Sequence, residues 1–172
     1  MKKIKVYLEG DILITNQSEA YSLLEKSNFG EEIEKKIRYS SFETIYLMDN
    51  DKIEVYSKKL KLNKEELIKK FLKIDKRFNL KYSVFKDLRN KGYILKTGLK
   101  FGADFRVYEK GFKINEAHAK WLVFVNHETD NLRLIELTAK SRVAHSIKKN
   151  LLLAIIDEEG DISYYEIRWI KP

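Results

Sequence analysis

Residues 151–156 of this 172-residue chain read Leu-Leu-Leu-Ala-Ile-Ile, the longest apolar run in the sequence. The run has the length of a β-strand and falls well short of the ~18–20 apolar residues that a membrane-spanning helix needs. A second strand-like run, His-Ala-Lys-Trp-Leu-Val-Phe-Val, occupies residues 118–125. The two runs predict that a β-sheet forms the core of the C-terminal half.

The residues around these runs predict helices on either side of the sheet. Apolar residues recur at helical spacing over residues 79–90, and Asn90-Lys91-Gly92 ends that pattern. The polar turn Asn126–Asp130 predicts the start of another helix. Further strands are predicted near 93–96, 104–108, 141–146, 151–157 and 162–170.

Residues 1–77 predict a separate α+β unit with its own core. Asn63 is followed three residues later by Glu66, the pattern of a helix N-cap with a reciprocal carboxylate. Thr44–Met48 and Ile53–Tyr56 flank Asp49-Asn50-Asp51, which predicts a β-hairpin. The chain is therefore predicted to be an α+β protein of two small mixed domains, residues 1–77 and 78–172.

The composition favours a polyanionic partner and excludes thiol chemistry. The chain has 34 Lys and Arg against 26 Asp and Glu, a formal charge of +8 spread over both halves. It has no cysteine, which excludes disulfides, thiolate metal sites and a cysteine nucleophile. The N-terminus lacks the apolar core and cleavage site of a signal peptide, so we expect a soluble intracellular, cytoplasmic protein.

Several common catalytic motifs are absent from the sequence. The three histidines, His118, His127 and His145, do not have the spacing of metal ligands. No glycine-rich run ends in Gly-Lys-Ser/Thr, and no Gly-x-Ser-x-Gly occurs. A nucleotide-binding P-loop and a serine nucleophile elbow are therefore not expected.

One long motif singles out three other residues. Residues 98–108 read Gly-Leu-Lys-Phe-Gly-Ala-Asp-Phe-Arg-Val-Tyr, His118 follows ten residues later, and residues 142–149 read Arg-Val-Ala-His-Ser-Ile-Lys-Lys. Taken singly, Tyr108, His118 and Lys149 have the ordinary interpretations of a packed tyrosine, a surface histidine and a solvated lysine. Together they resemble the archaeal tRNA-intron splicing endonucleases, whose motif is Gly-x-Lys-Phe-Gly-x-Asp-Phe-x-x-Tyr, then His, then Ser-Val/Ile-Lys/Arg-Lys before an apolar strand. The resemblance covers residues 78–172, whereas the first 77 residues match in length and layout alone.

The resemblance implies a catalytic nuclease domain of the restriction-endonuclease-like kind, with the 2′-hydroxyl of the RNA as nucleophile. It implies that Tyr108 is the general base, His118 the general acid and Lys149, rather than Lys148, the electrostatic clamp. Histidine suits the acid role because its ordinary pKa of ~6.5 leaves a protonated fraction near neutrality. Tyrosine ordinarily ionises near pH ~10, and a neighbouring ammonium favours the phenolate. The expected products carry a 2′,3′-cyclic phosphate and a 5′-hydroxyl, and no metal or cofactor is expected.

The resemblance also implies a substrate and an assembly. The substrate would be precursor tRNA that contains a bulge-helix-bulge. Arg142 and Arg168 would hold one base of a bulge between them. Two cleavage sites would be served by a homotetramer, docked in part through the acidic turn Asp157–Asp161. Residues on the C-terminal strands are expected to form a two-fold interface: Ile162, Tyr164, Ile167, Trp169 and Ile170. No membrane partner is expected.

Two alternatives remain open from the sequence. The chain could be a catalytically inactive structural subunit that pairs with an active one, although it retains Tyr108, His118 and Lys149. It could also be an RNA-binding module without cleavage activity. Cleavage of a bulge-helix-bulge RNA by the chain alone separates the catalytic prediction from both alternatives.

Overall fold

The structure, a computed structural model, describes residues 3–111 and 118–172. The chain divides into two compact units, Met1–Asn79 (unit 1) and Leu80–Pro172 (unit 2). The described residues form two mixed sheets and five α-helices, which confirms the predicted α+β class. None of these helices is both long and apolar enough to cross a membrane.

Unit 1 is a six-stranded sheet in the order β3-β4-β2-β1-β5-β6, in which β1 and β5 are parallel and the other neighbours antiparallel. Its core contains fully buried side chains from four strands and two helices, among them Val6, Leu13, Ile37, Ile45, Val55 and Leu67. The strands are β1 Ile4–Glu9, β2 Ile12–Thr15, β3 Glu31–Ile33, β4 Lys36–Tyr39, β5 Ile53–Ser57 and β6 Leu60–Leu62. The helices are α1 Ser18–Ser27, α2 Ser41–Asp49 and α3 Lys64–Ile74.

Helix α2 occupies residues that the sequence assigned to the first strand of a hairpin. Thr44–Met48 lies inside α2, so that prediction is wrong, whereas the predicted strand at Ile53–Tyr56 is β5. The deciding signal is a capping box: the Ser40 hydroxyl accepts from the Glu43 backbone N–H at 3.2 Å, and the Glu43 carboxylate accepts from the Ser40 N–H at 2.9 Å. A helix start satisfied in this way overrides the β-propensity of Thr44 and Ile45. The predicted Asn63–Glu66 capping box is confirmed.

Unit 2 is a five-stranded sheet in the order β11-β10-β9-β8-β7. β9 and β10 are parallel, and the other neighbours are antiparallel. The elements are α4 Phe78–Asn90, β7 Ile94–Thr97, β8 Phe105–Tyr108, β9 Trp121–His127, α5 Leu134–Ser146, β10 Asn150–Ile156 and β11 Ile162–Ile167. The first two residues of α4 belong to unit 1, so the division of the chain falls in the first turn of that helix.

Helices α4 and α5 cover opposite faces of this sheet. Phe85 of α4 packs against Phe105, with ring centroids 5.8 Å apart. Ala144 of α5 packs in a cluster with Leu122 and Leu151. Side chains alternate between the faces of a strand, and Phe105 lies opposite Val123 rather than Leu122. The α4 face and the α5 face of the sheet are therefore distinct.

The strand predicted at residues 141–146 is wrong, because these residues form the second half of α5. Ser141 and Ala144 are buried, whereas Arg142, Val143, His145 and Ser146 between and after them are exposed. Burial at a spacing of three residues is the pattern of one helix face; a strand would bury every second residue. The start of α5 is less protected, since Leu134 and Ile135 are 77% and 71% exposed.

Glu43 supports both the start of α2 and a neighbouring loop, so its substitution tests how much these contacts stabilise unit 1. Its carboxylate also accepts a hydrogen bond from the Gly30 N–H at 3.0 Å, and the residue is 4% exposed. We expect Glu43→Ala to lower the free energy of unfolding by roughly 2–4 kcal/mol, since a cap and a buried N–H lose their acceptor. Denaturant unfolding followed by far-UV circular dichroism measures it. Glu65→Ala, an exposed first-turn carboxylate of α3, is the control and should change stability by less than ~0.5 kcal/mol; equal losses would contradict the assignment.

Candidate active site at one end of the second sheet

Tyr108 ends β8 beside the start of β9. The two strands are antiparallel, with Val107 opposite Trp121. The backbone N–H of Lys120 donates to the Val107 carbonyl at 2.8 Å, which extends the pairing by one residue. Tyr108 therefore lies next to the segment that carries His118, two residues before Lys120.

Lys149 reaches the same end of the sheet from β10. Strands β9 and β10 are parallel, and Asn150 pairs with Trp121, so the residue before each strand lies at the same edge. The chain arrives there from α5 through a turn in which Lys148 has a φ of 56° and the Lys149 N–H donates to the Ala144 carbonyl at 2.9 Å. Lys148 thus serves the turn, and Lys149 is the lysine that enters the sheet.

The Tyr108 side chain is held in a small apolar cluster. Tyr108 is 5% exposed and packs with Ile94, its cross-strand neighbour on β7, and with Ala119. Ala119 directly follows His118, which is exposed. The packing of Ala119 against Tyr108 therefore keeps the histidine backbone close to the tyrosine.

Tyr108 and Lys149 lie on the same face of the sheet. Arg106 is opposite Leu122, and Leu122 is opposite Leu151, so these three side chains share the α5 face. Tyr108 is two residues after Arg106, and Lys149 is two residues before Leu151. Since side chains alternate along a strand, both project from the α5 face, at the open end beyond the Leu122–Leu151 pair.

Lys149 is partly withdrawn from solvent and is repelled by a second cation. Burial lowers the pKa of the Lys149 ammonium below the ordinary lysine value, and the positive charge of Arg106 lowers it further. The ammonium donates one hydrogen bond, to the Ile147 carbonyl at 3.3 Å. A positive charge in this setting is well placed to stabilise a phosphate, because partial desolvation strengthens its attraction to an anion.

Two other cations near this end of the sheet, Lys120 and Arg168, have carboxylate partners. Lys120 binds Glu109 with 2.5 Å between Nζ and Oε1. Arg168 forms an ion pair with Glu166, whose carboxylate also accepts from the Trp121 indole N–H at 2.5 Å. The hydrogen bond from Trp121 is the main cause of a lowered pKa at Glu166, and the bond from Arg168 lowers it further. Arg168 is therefore held by its own chain, in contrast to Lys149.

Arg142 lies on the exposed side of α5, three residues before His145. The His145 ring contacts Trp169, with ring centroids 4.7 Å apart. Trp169 was assigned from sequence to an intersubunit contact, but it also has this partner within its own chain. The structure thus brings Trp169 to the helix that carries Arg142.

The acidic turn lies at the opposite end of β10. The Asp157 carboxylate accepts from the Asp161 N–H at 2.8 Å, and Gly160 adopts a φ of 88° that closes the turn. The Glu158 N–H donates to Glu128 at 2.9 Å. The turn is thereby ordered, while the side chains of residues 158, 159 and 161 remain exposed. A shallow cleft beside it is lined by Ser83, Lys86, Asp87, Asn90, Lys91, Gly160, Asp161 and Ile162.

Two further observations characterise the site end of the sheet. Within residues 3–111 and 118–172, no group of three or more His, Asp and Glu residues is arranged to hold a metal ion. The cleft described above lies elsewhere in unit 2, away from Tyr108 and Lys149.

Comparison with known families assigns both parts of the chain. Residues 78–164 match the model of the tRNA intron endonuclease catalytic C-terminal domain, and residues 4–68 match that of the tRNA intron endonuclease N-terminal domain. The chain belongs to the tRNA intron endonuclease family. Membership confirms the resemblance drawn from residues 98–108, 118 and 142–149, and it makes the chain an endonuclease. It also extends the resemblance to the first 77 residues, where the sequence motifs were uninformative.

Individual tRNA intron endonucleases match along nearly their whole length. A protein named tRNA-splicing endonuclease from Thermococcus gammatolerans is 43% identical over 169 residues, which is 98% of this chain and 99% of that protein. The protein of the same name from Pyrococcus abyssi is 41% identical over 173 residues, or 99% of both chains. The one from Methanothermobacter thermautotrophicus is 39% identical over 165 residues.

Arg106 is the residue of this site that sequence reasoning did not assign. It stands inside the quoted motif, two residues before Tyr108. A period of two on a predicted strand places both on one face, and that signal could have identified Arg106.

The lowered pKa of Lys149 predicts that its charge costs stability. Below the lowered pKa the lysine is charged in both the folded and the unfolded state, so the cost is fully present at neutral pH. As pH rises from that pKa to the ordinary value of 10.5, the unfolded state binds more protons and stability increases. We therefore expect Lys149→Met to leave the free energy of unfolding unchanged or raised at pH 7, with the difference from wild type shrinking as pH increases.

Denaturant unfolding of both proteins at several values between about pH 7 and about pH 11 measures this difference in the free energy of unfolding. Lys148→Met is the matched control on the adjacent exposed lysine and should show no such pH-dependent difference. A large loss of stability in Lys149→Met at pH 7 would assign the lysine to the fold instead of to the site.

Proposed function

We propose that this chain cuts precursor tRNA at intron boundaries by transesterification within the RNA, with Tyr108, His118 and Lys149 in separate roles. The observation that carries the proposal is the strand register of unit 2. It brings the end of β8, the segment before β9 and the segment before β10 to one end of the sheet. Residues separated by as many as 41 positions in sequence, from Tyr108 to Lys149, thereby become neighbours.

The reaction needs two proton transfers. The 2′-oxygen next to the scissile phosphate attacks phosphorus and loses its proton to the Tyr108 phenolate. The bond from phosphorus to the 5′-oxygen breaks, and protonated His118 gives its proton to that leaving oxygen. One fragment ends in a 2′,3′-cyclic phosphate and the other begins with a 5′-hydroxyl. His118 is exposed, which allows it to reach a leaving group on a large substrate.

Lys149 would stabilise the charge that develops on the phosphorane. Its ammonium is partly desolvated and repelled by Arg106, so an arriving anion relieves a cost that the free enzyme carries. Proton transfer and charge stabilisation are then all supplied by side chains, and RNA supplies the nucleophile. The proposed reaction consequently requires no metal and no cofactor.

The proposed substrate element is a bulge-helix-bulge, which is read by shape and by unpaired bases. Arg142, exposed on α5, is available to grip an unpaired base. Arg168 could do so after exchanging its ion pair with Glu166 for the RNA. We place the reaction in the cytoplasm, where an enzyme of this family would meet precursor tRNA.

We also propose that unit 2 is a restriction-endonuclease-like nuclease domain and that residues 1–77 and 78–172 are the two domains. The support is a mixed five-stranded sheet with a helix on each face and the catalytic candidates at one end. Two cleavage sites per intron require two active sites, which a homotetramer would supply. The acidic turn Asp157–Asp161 would dock on a basic surface of another subunit.

The interface of the proposed tetramer would involve β11, which is an edge strand of its sheet. Trp169 and Ile170 are 49% and 75% exposed, and Tyr165, which the sequence interpretation did not include, is 54% exposed. Tyr164 is less suited to this role, because its hydroxyl hydrogen-bonds Asp87 of α4 at 2.7 Å. Burial and this bond raise the pKa of Tyr164, so the phenol remains a donor within its own unit.

Cleavage of a bulge-helix-bulge RNA in excess EDTA tests the chemistry. We expect the wild type to release a 2′,3′-cyclic phosphate and a 5′-hydroxyl, identified by end-group analysis. Lys149→Ala should slow single-turnover cleavage by about 10²–10³-fold, and His118→Ala by about 10²–10⁴-fold. Lys148→Gly, which suits the positive φ of that residue, is the matched control and should cut at nearly the wild-type rate.

Other outcomes select a different function. Products with a 3′-hydroxyl and a 5′-phosphate, or loss of cleavage on chelation, would rule out the proposed mechanism. Cleavage only after a second subunit is added would identify an inactive structural subunit. RNA binding that Lys149→Ala does not change, without cleavage, would identify an RNA-binding module.

Assembly is tested by charge substitution at the exposed residues near β11. We expect the double variant Tyr165→Asp, Ile170→Asp to give smaller particles than wild type in light scattering, because a buried interface cannot hold unpaired carboxylates. Ile135→Asp, at a residue 71% exposed on α5, is the control and should keep the wild-type mass. A monomeric wild-type protein, or a double variant of unchanged mass, would contradict an interface at these residues.

A further inference from the structure

Arg106 lies one step inward from Tyr108 on the same strand face. Arg106 on β8 pairs with Leu122 on β9, and Leu122 pairs with Leu151 on β10. Lys149 is two residues before Leu151. The backbones of Arg106 and Lys149 are therefore two strand spacings apart, roughly 10 Å, with an offset of two residues. Both side chains are long, and the positive charge of Arg106 contributes to lowering the pKa of the Lys149 ammonium.

The Arg106 side chain is anchored by one hydrogen bond. Its Nε–H donates to the Thr97 carbonyl of β7 at 2.9 Å. That bond places the guanidinium next to β7, an edge strand of the sheet. A guanidinium has five N–H donors, and among residues 3–111 and 118–172 only the Nε–H has an acceptor, so four remain for other acceptors.

Lys96, the cross-strand neighbour of Arg106, is a further cation on this face. Within residues 3–111 and 118–172, no carboxylate forms an ion pair with Arg106 or Lys149. This differs from Lys120 and Arg168 nearby, which bind Glu109 and Glu166. Two like charges that repel each other without a counter-charge raise the energy of the free protein. An anion that contacts both relieves that cost, and the planar guanidinium is suited to bidentate binding of a phosphate.

We propose that Arg106 binds an RNA phosphodiester next to the scissile one, so that Arg106 and Lys149 form a two-cation site for consecutive phosphates of one strand. The inference rests on the proposed function, since it assigns a further substrate contact to the same site. Arg106 holds the backbone, while Lys149 stabilises the reacting phosphate. The strand would run across the open end of the α5 face, from Tyr108 and Lys149 towards β7.

The test is RNA binding as a function of salt, with a bulge-helix-bulge RNA that carries 2′-deoxynucleotides at the cleavage sites and so cannot react. We expect Arg106→Gln to weaken the affinity by about 10-fold or more, since a charged hydrogen-bonded contact is lost. The slope of log affinity against log salt should become shallower by about 0.7–0.9, the value of one phosphate contact. Arg106→Lys keeps the charge and should retain most of the wild-type slope. Arg38→Gln, the same change at an exposed arginine of unit 1, should leave the slope unchanged.

An unchanged slope in Arg106→Gln would overturn the proposal, whether the affinity is unchanged or reduced. A reduced affinity with the wild-type slope means that Arg106 acts only through its bond to Thr97. Arg106→Met, which keeps the aliphatic stem, gives the same comparison if the glutamine variant does not fold. Wild-type cleavage of the matching all-ribose RNA is measured in parallel. Failure there contradicts the proposed function, whereas wild-type cleavage with an unchanged Arg106→Gln slope contradicts the role of Arg106 alone.

Discussion

The parallel pairing of β9 with β10 is the constraint on which the rest of unit 2 depends. Seven residue pairs, from Trp121–Asn150 to His127–Ile156, align the two strands in the same direction. Parallel neighbours cannot be joined by a tight turn, so the chain must cross over, and α5 makes that crossover. The buried face of α5 then covers Leu122 and Leu151. The most apolar strands of the unit thus determine where a helix must lie.

The same constraint brings the three catalytic candidates to one edge of the sheet. Strands that run in the same direction begin at the same edge of a sheet, and an antiparallel neighbour ends there. His118, Lys149 and Tyr108 precede or end these three strands, so they share that edge. The turn Asp157–Asp161 follows the other end of β10, about 20 Å away along seven strand residues. Cleavage and docking, as proposed, would therefore use opposite ends of one strand and would not compete for surface.

The cations at the site edge differ in whether they have a carboxylate partner. Arg168 is neutralised by a carboxylate that also binds Trp121, and Lys120 is neutralised by Glu109. On the α5 face, Arg106 and Lys149 repel each other instead. Such an arrangement lowers the stability of the free protein slightly, and it stores electrostatic energy that a phosphate can release. In the proposed reaction, the substrate would supply the missing negative charge.

The sequence by itself determined the features that depend on neighbouring residues. The capping box of α3, the end of α4 at Asn90 and the apolar strands β9 and β10 were predictable because cap, turn and burial signals act over a few positions. The long motif around Tyr108 was specific enough to predict the family, whose models match residues 4–68 and 78–164.

Only the tertiary structure decided what depends on distant residues. Residues 141–146 have a strand-like composition, yet Ser141 and Ala144 are buried at helical spacing, and Ala144 packs against Leu122 and Leu151 of the two parallel strands, which makes the segment a helix. The position of Lys149 relative to Arg106 likewise follows from strand register, because register joins residues that sequence spacing does not relate.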